Sequence, residues 1–160
     1  GVCNYSSGLI HDLMNYCEIK PDILQIESHP HLTQEKLIRL AKNYGLEVTA
    51  FSPLGSISYE EIGGAEETES LLRNETIKLI AKELEISPAQ LVLSWALNRG
   101  TSIVVKSTNE KRMKENLDAS KIKLEQSVLE KISALNINRR YNDPGIFCED
   151  AFNTFFPIYD

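Results

Sequence analysis

Ile23-Leu24-Gln25-Ile26-Glu27 and Glu47-Val48-Thr49-Ala50-Phe51 are two short, mostly apolar runs, and the residues between them follow a different period. Leu37, Ile38, Leu40, Ala41 and Tyr44 recur at the spacing of one helix face. Thr33 stands where a cap is needed, with Leu32 and Leu37 placed as a hydrophobic staple across it. Gly45 fits the left-handed position just past the helix end. A strand, a helix and a second strand joined by so long a connection predict two parallel strands.

The same unit repeats on both sides. Upstream, Gly1 to Tyr5 reads as the end of a strand, and Ser6 or Ser7 can cap a helix carrying Leu9, Ile10, Leu13, Met14 and Cys17. Downstream, residues 75–84 form a short amphipathic helix. Ser87-Pro88-Ala89-Gln90 then opens another with a cap, a proline at the first position and a capping box. Ser102 to Val105 is a fourth strand, and helices are predicted over 109–117 and 126–136. The tail from Asn136 lacks clear periodicity. The strands read as apolar on both faces, as in a sheet covered by helices. Two classes fit: an open doubly wound sheet, or part of a β/α barrel. No Gly-rich fingerprint follows the first strands, which weighs against a dinucleotide-binding doubly wound domain. Asn4, Gln25, Ser52 and Lys106 all fall at strand C-terminal ends, where barrel sites are built.

Composition narrows the function classes. A formal net charge of −6 opposes a general nucleic-acid binder, which needs a basic footprint. No apolar run approaches the roughly 20 residues that span a bilayer, and no signal peptide is evident. Cys3, Cys17 and Cys148 are odd in number and widely spaced, fitting reduced thiols in a cytoplasmic protein rather than a disulfide frame or zinc site. The opening Gly-Val-Cys-Asn-Tyr, without Met, reads as the middle of an element, so a piece of a longer polypeptide is expected.

The stretch Val105-Lys106-Ser107-Thr108-Asn109-Glu110-Lys111-Arg112 carries the chemistry. A lysine closes a strand, three good caps follow, and an arginine sits one turn into the next helix. Fresh backbone N–H groups, the helix dipole and two cations make an anion site, suggestive of phosphate. The bland alternative is a solvated, mixed-charge helix face.

Gly1-Val2-Cys3-Asn4-Tyr5, Gln25-Ile26-Glu27-Ser28-His29-Pro30, Thr49-Ala50-Phe51-Ser52-Pro53-Leu54-Gly55-Ser56 and Val105-Lys106-Ser107 with Arg112, Glu115 and Asn116 resemble, in order, motifs of the aldo-keto reductases. The segment Asn136 to Pro144 most resembles the xylose and aldose reductase branch. The resemblance implies the C-terminal half of a (β/α)8 barrel, about four parallel β/α units over 1–136, followed by a substrate-loop tail over 137–160. It also implies a parent protein that reduces aldehydes or aldoses with NADPH, NADH being possible.

In that resemblance Cys3, Asn4 and Gln25 would hold the nicotinamide carboxamide, Cys3 standing where the family often has Ser. Phe51, in place of the usual Tyr, would stack on the nicotinamide ring. Ser52, Leu54 and Ser56 would line the pyrophosphate, and the acidic segment Ser58 to Ser70 would be a loop that is mobile without cofactor. Lys106, Ser107, Asn109 and Arg112 would take the 2′-phosphate, Asn109 also leaving room for a ribose hydroxyl, and Glu115 and Asn116 the adenine edge. Asn142 would touch a small carbonyl substrate. The alternatives are ordinary: satisfied core amides at Asn4 and Gln25, a core aromatic at Phe51, a Ser-Pro turn, and a turn-forming Asn-Asp-Pro at Asn142.

No residue here matches the family's catalytic Asp, Tyr, Lys or His, so these residues alone are expected to be inactive. Open sheet edges and uncovered apolar inner faces predict pairing with a missing N-terminal half, or self-association. The rival function is a non-catalytic nucleotide-binding or structural protein on the same fold.

Overall fold

A computed structural model describes residues 1–60, 62–155 and 157–159, with the side chains of 146 and 147 left aside. Four strands, β1 (Val2–Cys3), β2 (Ile23–Glu27), β3 (Glu47–Phe51) and β4 (Ser102–Val104), form one sheet in the order of the chain. All neighbours are parallel, with Cys3 beside Gln25, Gln25 beside Thr49 and Thr49 beside Ser102. The intervening helices are α1 (Ser7–Tyr16), α2 (Glu35–Asn43), α3 (Glu75–Glu83), α4 (Pro88–Asn98), α5 (Glu110–Asp118), α6 (Gln126–Ser133) and α7 (Gly145–Phe152).

The register separates the two faces of the sheet. Leu24, Ile26, Val48 and Ala50 are essentially inaccessible, and the first three pack with Ile10 of α1, Ile38 and Ala41 of α2, and Leu46 before β3. A second core joins α3, α4 and α6 around Trp95, Leu91, Ile77 and Ile132, with Ile103 of β4 against it. The other face carries Cys3, Ile23, Gln25, Glu47, Thr49, Ser102 and Val104. It is mixed, contrary to the expectation of apolar residues on both faces. Thr49 and Ser102 hydroxyls lie 2.7 Å apart across β3 and β4, while Ile23 and Val104 are 45% and 54% exposed. Period-two alternation, hidden in such short strands, is the reason.

Helix ends follow local chemistry where side chains do the capping. Ser6 caps α1, Asn74 caps α3, Ser87 and Gln90 form the capping box of α4, and Asn109 caps α5. Gly45 ends α2 at φ +79°, as its position predicts. Thr33 does not cap α2. Left-handed Gln34 (φ 51°) precedes the helix instead, with no side-chain cap, and its amide donates to the Glu27 carbonyl. Thr33 is buried and its N–H goes to Asn136 Oδ1.

The aperiodic tail contains α7, which periodicity could not show. Eight residues starting with Gly hold too few turns for a pattern, and the entry is made by Asp143 Oδ1 accepting the Gly145 N–H at 2.9 Å. The described residues of the acidic segment between β3 and α3 have local structure. They fold into short 3-10 turns, Gly55–Ser58, Glu67–Glu69 and Leu71–Arg73, laced by Arg73 to Glu60 and Glu67 and by Arg139 to Glu69.

Candidate cofactor groove and tail clamp

The C-terminal ends of β3 and β4 open into a groove made of two adjoining cavities of about 250 and 410 Å³. Both are bordered by Leu54, Ile57 and Lys106. The groove brings together nine of the residues singled out in the sequence: Phe51, Ser52, Leu54, Lys106, Ser107, Asn109, Arg112, Glu115 and Asn116.

Its basic end is built by α5. The Asn109 side-chain oxygen accepts the Arg112 N–H at 3.1 Å, and Ser107 Oγ accepts the Asn109 N–H at 3.2 Å. These contacts fix the first turn and leave the Asn109 amide hydrogens free to donate. Lys106 and Arg112 make no ion pair among the described residues. Two unpaired cations beside a helix N-terminus suit a phosphate dianion. Leu72, Ser87, Pro88 and Ala89 form the far wall. The sequence showed Ser87-Pro88 as a helix start, but only the folded chain puts that start beside α5.

At the other end Phe51 is half-buried, one strand over from Val104. Ser52 takes a left-handed φ of 49° and its hydroxyl lies 2.8 Å from the Tyr59 hydroxyl. Ser56 is fully buried and donates to Glu60 at 3.2 Å, which leaves its hydroxyl engaged rather than free in the groove.

Cys3 of β1, Gln25 of β2 and Asn4 just past β1 do not line the groove. Asn4 is left-handed (φ 57°), and its N–H bonds the Gln25 carbonyl at 2.9 Å. Its Oδ1 is buried with no hydrogen-bond partner among the described residues. A buried carbonyl oxygen without a donor costs on the order of 1–3 kcal/mol, so a ligand N–H would complete it. The orphan oxygen can accept from a ligand N–H, and the cations of the groove can donate to an anion.

A second constellation escaped the sequence reading. Glu27 ends β2 fully buried on the face it shares with its register partner Phe51. Its Oε1 accepts His29 Nε2–H at 2.9 Å and the Tyr141 N–H at 2.8 Å. Its Oε2 accepts the Asn142 N–H at 3.0 Å, with Arg140 Nη1 3.8 Å away. Burial alone would push this carboxyl up, but the His29 and backbone hydrogen bonds outweigh it and hold Glu27 below the usual range. The Tyr141 hydroxyl, pushed up to about 12 by burial and by Glu69, stands 3.1 Å from His31 Nδ1. The Tyr141 ring stacks on Tyr59 at 6.0 Å. His29 Nδ1 has no hydrogen-bond partner among the described residues. Asn142 is thus held through its backbone. Among the described residues no three His, Cys, Asp or Glu side chains could hold a metal, and no helix is long and apolar enough to cross a membrane.

Parallel β/α units with a groove at the strand C-terminal ends are the arrangement found in β/α barrels. The chain belongs to the aldo/keto reductase family, whose profile matches residues 1–137. It is 44% identical over 146 residues to a probable NAD(P)H-dependent D-xylose reductase of Aspergillus fumigatus, covering 90% of this chain and 46% of that protein. It is 41% identical to the NAD(P)H-dependent D-xylose reductase of Kluyveromyces lactis, covering 97% and 48%. Aldose reductase structures from Giardia lamblia (30% identity, TM-score 0.82) and Schistosoma japonicum (28%, 0.81) cover all of this chain and 50% and 48% of theirs. The chain therefore spans about half the length of the curated relatives it matches.

Proposed function

We propose that the whole protein reduces aldehydes or aldoses to alcohols with NADPH, and that these 160 residues supply its cofactor grip. The observation that carries this is the pair Lys106 and Arg112, free of ion pairs among the described residues, at the N-terminus of α5 in the groove. Their charge favours the 2′-phosphate of NADPH, while the Asn109 amide could serve a ribose hydroxyl and admit NADH. Reduced nicotinamide supplies the hydride. Phe51 would present a ring face to it, and Asn4 and Gln25, with Cys3 contributing at most a weak thiol hydrogen bond, would orient its carboxamide. Ser52 and Leu54 would border the pyrophosphate. Glu115 and Asn116 would meet the adenine, and Asn142 the substrate.

No residue of this sequence matches the family's catalytic Asp, Tyr, Lys or His, so this stretch alone should bind NADPH without turnover. Fluorescence titration with NADPH and NADH, paired with a reductase assay on glyceraldehyde and xylose, tests both halves. Absence of NADPH binding by the whole protein sinks the reading; turnover by the 160 residues alone sinks the claim of inactivity. The sheet supports a partner as well: β1 and β4 expose parallel edges, so closure by further strands or by a second copy is expected. A monomeric mass by light scattering with a well-dispersed spectrum would count against closure. A non-catalytic nucleotide-binding role is favoured instead if the whole protein binds NADPH tightly and reduces no aldehyde.

A further inference from the structure

The Glu27 carboxylate is buried at the end of β2, yet it serves residues of the tail rather than its own sheet. Both oxygens are engaged: the Tyr141 and Asn142 amides arrive from one side at 2.8 and 3.0 Å, and His29 braces Oε1 from the other. Two consecutive backbone N–H groups on one carboxylate leave that dipeptide little freedom of position. Four further contacts tighten it. Arg140 approaches Oε2 at 3.8 Å, and Arg139 pairs with Glu69 at 2.7 Å while lying 5.0 Å over the Tyr141 ring. Tyr141 also stacks on Tyr59, whose hydroxyl meets Ser52 in the groove. Glu27 and Phe51 are register partners on adjacent strands. The carboxylate that holds the tail is therefore one strand away from the ring proposed to face the nicotinamide.

We propose that Glu27 is a positioning residue for substrate selection: it sets where the tail at Asn142 stands over the barrel mouth. This rests on the reductase reading given above for the function, but the anchor itself can be read without activity. The contact to Glu27 uses the Asn142 backbone N–H and not its side chain. The arrangement separates two tasks that a side-chain anchor would confound.

The experiment compares Glu27→Gln with the parent chain by amide hydrogen exchange and, in the whole protein, by steady-state kinetics with aldehydes of increasing length. Gln keeps the shape but loses the charge and presents an NH2 to one of the two amide donors. The expected result is exchange at Tyr141 and Asn142 faster by tenfold or more, with the β2–β3 amides unchanged. KM for the aldehydes should rise about tenfold, with kcat and NADPH affinity within twofold. Unchanged exchange at 141 and 142 overturns the anchor, and faster exchange with unchanged KM overturns the role in selection. Should Glu27→Gln fail to fold, Glu27→Asp draws the carboxylate back by one methylene from the Tyr141 and Asn142 amides and leaves the Asn142 side chain in place. It must speed exchange at 141 and 142 and raise KM, and a parental value of either overturns the proposal. A whole protein that reduces no aldehyde sinks the reductase reading, and with it the role in selection, while the exchange rates still decide whether Glu27 anchors the tail.

Discussion

The Asn142 amide donates to Glu27 Oε2 at 3.0 Å, across 115 positions of sequence. A strand end and the start of the tail are thereby joined at a fully buried charge. Such a charge is tolerated because both its oxygens accept hydrogen bonds, three in all, and the Arg140 guanidinium stands 3.8 Å away. The ring of donors also makes this point sensitive to protonation.

Stability should fall as pH drops, in two stages. Burial holds His31 below its ordinary 6.5 and keeps it neutral in the fold, so below that pH the unfolded chain takes up a proton that the folded chain resists. Glu27 is held below its ordinary 4.5, so its contribution is present above that value and disappears as pH falls through the lower, folded one. Urea unfolding midpoints should rank pH 7.5 above 5.5 above 4. In Glu27→Gln the step below 4.5 should shrink. A flat profile would contradict both assignments.

Cofactor affinity should respond to Lys106 and Arg112, the two cations that border the groove. Arg112→Ala and Lys106→Ala each remove one charge-assisted contact, worth about 1.5–3 kcal/mol, or roughly 10- to 100-fold in Kd. The loss should appear for NADPH and be nearly absent for NADH, since only the former carries the 2′-phosphate. Equal losses for both cofactors would move the phosphate elsewhere.

Gly55 should not tolerate a side chain. Its φ is +73°, and a Cβ there would stand 2.8 Å from Leu71 Cδ1, itself fully buried. Left-handed strain of about 1 kcal/mol adds to the cost of moving Leu71 in a packed core. Gly55→Ala is expected to lose about 1–3 kcal/mol by denaturant unfolding. An unchanged midpoint would mean that the turn can re-form around the methyl group.

Trp95 offers an internal reporter. Its Nε1–H donates to Ser133 Oγ at 3.0 Å, and Arg99 lies 4.3 Å over its ring. Ser133→Ala strands that donor in the core between α4 and α6 and should cost about 1–3 kcal/mol. The emission of this single tryptophan gives the unfolding curve directly. A variant as stable as the parent would imply that water reaches the indole.

Elements with local causes were legible in the chain. The Ser87-Pro88-Ala89-Gln90 box, the Asn109 cap and Gly45 all act through atoms three or four positions away, so a linear reading captures them. The alternation of Ile23–Glu27, helix and Glu47–Phe51 likewise contains its own parallel pairing. Thr33 shows where that reading stops. It has the chemistry of a cap, but burial and a distant acceptor, Asn136, took its N–H elsewhere.

The sequence by itself determined a parallel β/α chain with an anion site at Lys106–Arg112, because strand period, helix period and caps are near-neighbour properties. Only the tertiary structure decided that Leu54 and Ser87 share a groove with that site, that the inner sheet face is mixed, and that Glu27 holds the tail. Those relationships depend on which distant groups meet when apolar surface is removed from water. No pattern along the chain encodes the pairing of residue 27 with residue 142.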